Sequence, residues 1–273
     1  MRTSGVTDVV VGLHSNDHLC WPFDDFAEFR ARAAEFLADG LQQGQRACYV
    51  AHGDDLVADL ATQPVLVEAL RDGRAEVISL ESLYGAGPTV TPEEQVSVYA
   101  TATLAAIEAG FTGLRVAADA TALVRTPDSL DAFCRYEHLI DRYTTAEPFS
   151  AMCAYHRPEL PEPVIARLAA LHPVNNAWCA PFRLHATVDG LALDGEVDWV
   201  SSDLLALALE STRPENGELR VDATGLRFID HHGLLALHEH ARANAARLVL
   251  RSGRAFLARL VSVLELDDVE CVR

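Results

Sequence analysis

His14, His18 and Cys20 crowd one short stretch, HSNDHLC, with Asp17 between them. Imidazole, thiol and carboxylate are the donors of a zinc-class site, so metal binding is the first chemistry to weigh. The spacing H-x3-H-x-C fits no structural zinc pattern, and no metal is expected from it. A pocket for an organic ligand is the second reading, and ordinary loop and capping roles are the third. Open α/β sheets bind ligands in the crevice outside the carboxyl ends of their strands. Trp21, His52 and Asp119 join the candidates on that ground, as does the loop Tyr84 to Pro92. His14, His18, Trp21 and Asp119 are expected to converge there around a small, mostly apolar ligand that is neither nucleotide nor nucleic acid.

A second constellation is FIDHHGLLAL, Phe228 to Leu237. An apolar run ends in Asp230, the pair His231-His232 makes a tight turn, and Gly233 opens an amphipathic helix. A stable phosphoester needs a hydroxyl, and neither 231 nor 232 has one. Phosphohistidine and pH sensing are conceivable at these imidazoles, and plain drift is the remaining alternative. His238 and His240 lie further along the helix, but 231, 238 and 240 do not share a stripe suited to a metal. Glu196 and Asp198 flank Val197 on one strand, where a solvated edge is also a surface for a partner. Cys153 and His156 read as packing at a strand end, and no Ser-His-Asp or Cys-His order suggests nucleophilic catalysis.

Composition narrows the possibilities. The chain has 273 residues, enough for two cores, with 22 basic and 40 acidic side chains and a net charge of −18. Such a surface repels nucleic acid and anionic membrane. All the basic residues are arginine. The absence of lysine excludes Schiff-base chemistry and a P-loop lysine. Six scattered cysteines without a C-x-x-C pair read as small buried hydrophobes in a reducing compartment. No apolar run is long enough to span a bilayer and no export signal is visible, so a cytoplasmic location is expected.

The elements that must position these groups alternate. In the first half, a strand is expected at Val9 to Val11, a helix at Phe23 to Gln43, and strands at RACYVAH, LRVAAD and FSAMCAYH. Helices at Val96 to Gly110 and Leu130 to Tyr143 separate the later strands, which argues for a parallel sheet between helices. Prolines punctuate Arg157 to Pro181 and place a boundary there, dividing the chain into 1–172, a linker 173–181, and 182–273. In the second half, FRLHATV and LALDGEV form a hairpin through Asp189-Gly190. Helices at Trp199 to Thr212, Gly233 to Ala245 and Ala255 to Leu264 then alternate with strands ELRVDAT, RLVLRS and VECVR, giving a mixed sheet with helices.

The second half resembles the STAS domains of sulfate transporters and anti-sigma-factor antagonists, on G-E-V-D at Gly195 to Asp198, Asp222, Phe228, Asp230 and Gly233-Leu234. The family pattern at the loop is D-S-S-G-L, whose first serine accepts phosphate from a partner kinase; here His231 stands in its place. The first half resembles the MEDS sensory domain, on GLHSNDHLCW, GLQQGQRACYV, Arg115 to Asp119, Tyr136-Glu137 and CAYHRPEL. Its order of elements is also similar to RecA-like ATPases, but Gly12 to His18 offers one glycine, no lysine and bulky imidazoles, so no P-loop is present.

The resemblance implies an α/β chain: a RecA-like parallel or mixed sheet without a P-loop, then a STAS-type mixed sheet. It implies a non-enzymatic regulator of signalling and transcription, with a small-ligand sensor fused to an output domain. The partner would be an anti-sigma factor of the serine-kinase type or a larger signalling assembly, met through Glu196, Asp198, Asp230, His231, His232 and Gly233. No cofactor is indicated. A degenerate nucleotide-binding or small-molecule enzyme, and a structural adaptor without ligand, are the alternatives.

Overall fold

The computed structural model describes residues 4–53, 56–60, 63–85 and 89–272. The chain splits into two compact units, Met1–Ile165 with Pro173–Trp178, and Ala166–His172 with Cys179–Arg273. No helix among the described residues is long and apolar enough to cross a membrane.

The first unit is built on strands β1 (Gly5–Val6), β2 (His18–Phe23), β3 (Arg46–Ala51), β4 (Ala75–Ser79), β5 (Leu114–Asp119), β6 (Phe149–His156) and β7 (Val174–Asn175). They form one sheet in the order β1-β7-β2-β6-β5-β3-β4, with every pairing parallel. Between them run α1 (Phe26–Gln42), α2 (Leu56–Leu60), α3 (Pro64–Asp72), α4 (Leu80–Tyr84), α5 (Pro92–Glu108) and α6 (Pro127–Ala146), with α7 (Glu162–Ala170) after β6. This is the parallel sheet between helices expected from the alternation. β7 falls inside the stretch expected as a linker and hydrogen-bonds between β1 and β2.

The opening strand differs from expectation. Val9 and Val11 are exposed and outside any strand, and the strand begins instead at His18. Three β-branched residues make a weak strand signal, whereas HLCWPF is buried at every position. The loop expected to carry His18, Cys20 and Trp21 is therefore a central strand. Its alternation sends Leu19, Trp21 and Phe23 into the core beneath α1, with Phe29, Ala33, Phe36 and Leu37. His18 and Cys20 face the other way.

Arg115 fixes α1 against the sheet. Its guanidinium donates to Gln45 Oε1 at 2.7 Å, Asp39 Oδ2 at 3.0 Å and the Leu13 carbonyl at 2.7 Å, and it lies over the Phe36 ring. Burial pulls its pKa down, opposed by Asp39. Gly40 makes room for it, because a Cβ there would lie 2.5 Å from Arg115 Cδ.

The second unit has β8 (Phe182–Thr187), β9 (Gly190–Val197), β10 (Glu218–Asp222), β11 (Leu226–Ile229), β12 (Arg247–Arg251) and β13 (Val269–Val272). Its helices are α8 (Ser202–Leu209), α9 (His231–Ala243) and α10 (Ala255–Val263). The path is β11-β9-β10-β12-β13, parallel throughout, with β8 antiparallel on β9 through the expected hairpin. At the turn, Thr187 pairs with Gly190, whose Cβ would meet the Arg220 carbonyl at 2.6 Å. This is the mixed STAS-type sheet that the sequence indicated.

Candidate functional site

The first unit buries a polar cluster between β2, β6 and α6. The N-cap Thr126 and Pro127 start α6, and Thr126 and Ser129 close a capping box. From there a stripe of buried positions runs through Leu130, Phe133, Cys134, Glu137, Ile140, Asp141 and Thr144. Glu137 and Asp141 are one helical turn apart on that stripe, fully buried, and both reach His18. His18 Nδ1 is 2.9 Å from Asp141 Oδ1, and Nε2 is 3.1 Å from Glu137 Oε2. From β6, the Cys153 Sγ lies 3.4 Å from His18 Nε2 and 3.6 Å from Glu137 Oε2. The Tyr155 hydroxyl donates to the other Glu137 oxygen at 2.6 Å.

Burial alone pulls the His18 pKa down, but Asp141 and Glu137 together outweigh it and leave it raised. Burial pushes the Cys153 thiol well up, and the charge of Glu137 adds to this. An isolated Cys153 is thus a thiol, unsuited to nucleophilic attack. Beside the cluster, Tyr84, Tyr99 and Tyr136 meet through their hydroxyls at 3.1 and 3.4 Å from Tyr84, and burial raises all three phenol pKa values well above the ordinary range.

The residues expected at one ligand pocket are divided between the two faces of the sheet and its loops. His14 is exposed before β2 and its backbone N–H donates to Asp17 at 2.8 Å. His18 and Cys20 lie on the α6 face, and Trp21 lies on the α1 face. Asp119 ends β5 in register, through Ala154 of β6, with Trp21, three positions along the sheet from His18, and accepts from the Thr121 N–H and hydroxyl at 3.1 and 2.6 Å. His52 is exposed after β3 and paired with Glu81. β2 starts later than expected, which puts His18 at the amino end of the strand and, by the alternation of side chains, on the opposite face from Trp21. Part of the loop Tyr84 to Pro92, residues 86–88, lies outside the described residues.

At the carboxyl edge, β2 leads through Asp24-Asp25 into α1. The Asp25 carboxylate accepts from Ala27 N at 2.6 Å and Glu28 N at 3.3 Å, so it occupies the helix N-terminus that would hold a phosphate in a P-loop. The His156 ring packs on Phe23 and Phe26 at centroid distances of 5.2 and 4.5 Å.

In the second unit, β9 and β11 end side by side, because Ile229 pairs with Val197 and Asp230 N donates to the Val197 carbonyl at 3.0 Å. Asp230 caps α9 by accepting from His232 N at 2.9 Å and Gly233 N at 3.1 Å. Burial opposes its ionisation, but these hydrogen bonds and His232 hold its pKa below the ordinary carboxylate value. His231 and His232 are exposed, with ring centroids 3.9 Å apart. Gly233 is buried, and a Cβ there would meet Val197 Cγ1 at 2.6 Å and Ile229 Cγ1 at 2.8 Å. Asp198 accepts from Val200 N, Ser201 N and the Ser201 hydroxyl at 3.1, 3.0 and 2.8 Å. Glu196 is exposed and pairs with Arg227 at 3.1 Å. Trp199, Val200 and Phe228 expose large apolar side chains in these segments. His238 instead pairs with Asp268 at 2.7 Å, and His240, its pKa lowered by burial, meets the Thr212 hydroxyl at 3.3 Å.

Sequence reasoning named His18 but missed its partners Glu137, Asp141 and Cys153 as a site. The signal was two acids at core positions of the α6 stripe, where charges are buried only with partners.

Comparison with known families agrees with both units. The model of the MEthanogen/methylotroph, DcmR Sensory domain matches residues 17–173, and that of the Mlab, STAS domain matches residues 182–272. Among solved structures, the chain is similar to flagellar accessory protein FlaH from Methanocaldococcus jannaschii, at 14% identity and a TM-score of 0.39, covering 64% of this chain and 74% of that one. No curated protein matches. A sensory domain joined to a STAS domain marks a signalling or regulatory protein. With more than half of its length matched by the first model, the chain belongs to the MEDS sensory-domain family, and a STAS domain follows the sensory domain.

Proposed function

We propose that this chain is a non-enzymatic cytoplasmic regulator, in which a sensory unit governs a STAS output whose partner contact is not switched by serine phosphorylation. The observation that carries this is the loop at Asp230: the acid caps α9, and the two exposed positions after it are His231 and His232. The STAS pattern has a serine where His231 stands, and neither 231 nor 232 carries a hydroxyl to phosphorylate. Partner binding is then constitutive at the loop or controlled by the sensory unit. The output module is placed at 182–273 and the sensory module at 1–172, the latter's sheet also taking β7 from the stretch 173–181.

The partner is an anti-sigma factor of the serine-kinase type. Glu196, Asp198, Asp230, His231 and His232, with exposed Trp199, Val200 and Phe228 nearby in chain or sheet, offer charge around an apolar centre, the usual composition of a protein interface. On the sensory side, His18 and Cys20 are the ligand-binding candidates retained on the α6 face. Asp25 in the phosphate position and the missing lysine both oppose the nucleotide-enzyme alternative.

A pull-down by the full chain, with His231→Glu as its pair, tests the reading. A negative charge beside a helix N-terminus favours the fold by about 0.3–1 kcal/mol, so the variant remains folded. Partner affinity falls at least tenfold; equal affinity removes the loop from the contact surface.

A further inference from the structure

We propose that His18, Glu137 and Cys153 bind a zinc-class divalent cation in the interior of the sensory unit, with Asp141 and Tyr155 as their supporting shell.

The first support is geometric. A tetrahedral ion with bonds of about 2.0–2.1 Å to imidazole N, 2.0–2.2 Å to carboxylate O and 2.3 Å to thiolate S holds its donors roughly 3.3–3.6 Å apart. The three donor atoms lie 3.1 Å (Nε2 to Oε2), 3.4 Å (Nε2 to Sγ) and 3.6 Å (Sγ to Oε2) from one another. They form one face of such a tetrahedron, and these three residues belong to a group whose ligand atoms all lie within 4.8 Å. Each comes from a different element: the first residue of β2, the middle of α6 and the middle of β6.

The second support is what stands behind each donor. A metal-bound histidine commonly passes its other ring N–H to a carboxylate, which fixes tautomer and ring orientation. Here His18 Nδ1–H donates to Asp141 Oδ1 at 2.9 Å, leaving Nε2 to face Cys153 and Glu137. Tyr155 holds Glu137 Oε1 at 2.6 Å, so Oε2 is the oxygen turned to the cluster. One nitrogen, one sulfur and one oxygen favour zinc over magnesium or calcium, which take oxygen. On binding, the ion replaces the protons on Cys153 Sγ and His18 Nε2, and both leave to solvent. The competing account is a hydrogen-bonded imidazolium between two acids, with the thiol as a bystander. Binding at this site stands on these residues whether or not the loop at Asp230 acts as proposed above.

The test uses the full chain with the more accessible cysteines replaced, Cys179→Ser and Cys271→Ser, stripped with chelator and titrated with Zn2+ and Co2+. Zn2+ binds at one equivalent, and Co2+ gives a thiolate-to-metal charge-transfer band. Cys153→Ser abolishes the band, Asp141→Asn weakens binding by about 10–100-fold, the range for a lost outer-shell partner, and His18→Gln, which removes a ligand, weakens it at least as much. Among the described residues, the exposed group Asp230, His231 and His232 is a second candidate for a cation. His231→Ala with His232→Ala leaves both readouts intact. A Co2+ complex without the band, stoichiometric binding that survives in Cys153→Ser, or loss in the double histidine variant each overturns the proposal. Should the core variants unfold, the presence or absence of the band in the parent chain decides.

Discussion

Gly40 and Arg115 occupy the same space from opposite elements: the helix residue has no side chain where the strand residue's aliphatic stem crosses it, 2.5 Å from an added Cβ. That accommodation lets a fully buried guanidinium tie α1 to the Leu13 carbonyl just ahead of β2. Gly40→Ala is expected to cost about 1–3 kcal/mol by overpacking. Arg115→Met leaves Asp39 without its charged partner and costs about 3–5 kcal/mol. Urea unfolding measures both, and a neutral Gly40→Ala would show that α1 can shift freely.

Asp119 supplies a pH signature. Burial raises its pKa, with the two Thr121 hydrogen bonds partly opposing. A carboxyl whose folded pKa lies above its unfolded value gives a contribution fully present below the unfolded pKa and lost as pH rises through the folded one. Asp119→Asn keeps an acceptor for Thr121 and removes the charge. The variant melts higher than the parent at pH 7, and the difference disappears below the ordinary carboxylate range. Equal destabilisation at every pH would contradict this.

The cap of α9 is worth a definite amount. Asp230→Ala leaves the His232 and Gly233 N–H groups without their acceptor and costs about 0.5–2 kcal/mol. Gly233→Ala drives a methyl into Val197 and Ile229 and costs about 1–3 kcal/mol. Thermal melts of the two variants check the values. Asp230→Asn, which keeps an acceptor, should lie closer to the parent.

Much of this architecture was legible in the chain. The Asp189-Gly190 turn, the alternation after it and Asp230 before an amphipathic helix define the STAS order, because turn and cap chemistry are local. The parallel sheet of the first unit was legible from the alternation of LRVAAD and FSAMCAYH with helices, and their continuous burial suits central parallel strands. The site was harder. HLCWPF lacks polar alternation because both its faces are buried, so its start and the parity of His18 and Trp21 were hidden. Glu137 and Cys153 meet His18 only through tertiary packing, and no local pattern brings them together. α3 and β4 went unread as well, since PVLVEALRD and AEVIS are short and the second is only partly buried.

The central claim is that this STAS domain has no serine switch. Incubating the full chain with ATP and a serine kinase of the anti-sigma type, then mapping residues 228–235 under non-acidic conditions that preserve phosphohistidine, tests it most directly. The account predicts no phosphate on that peptide while the kinase remains bound; stoichiometric phosphate there would contradict it.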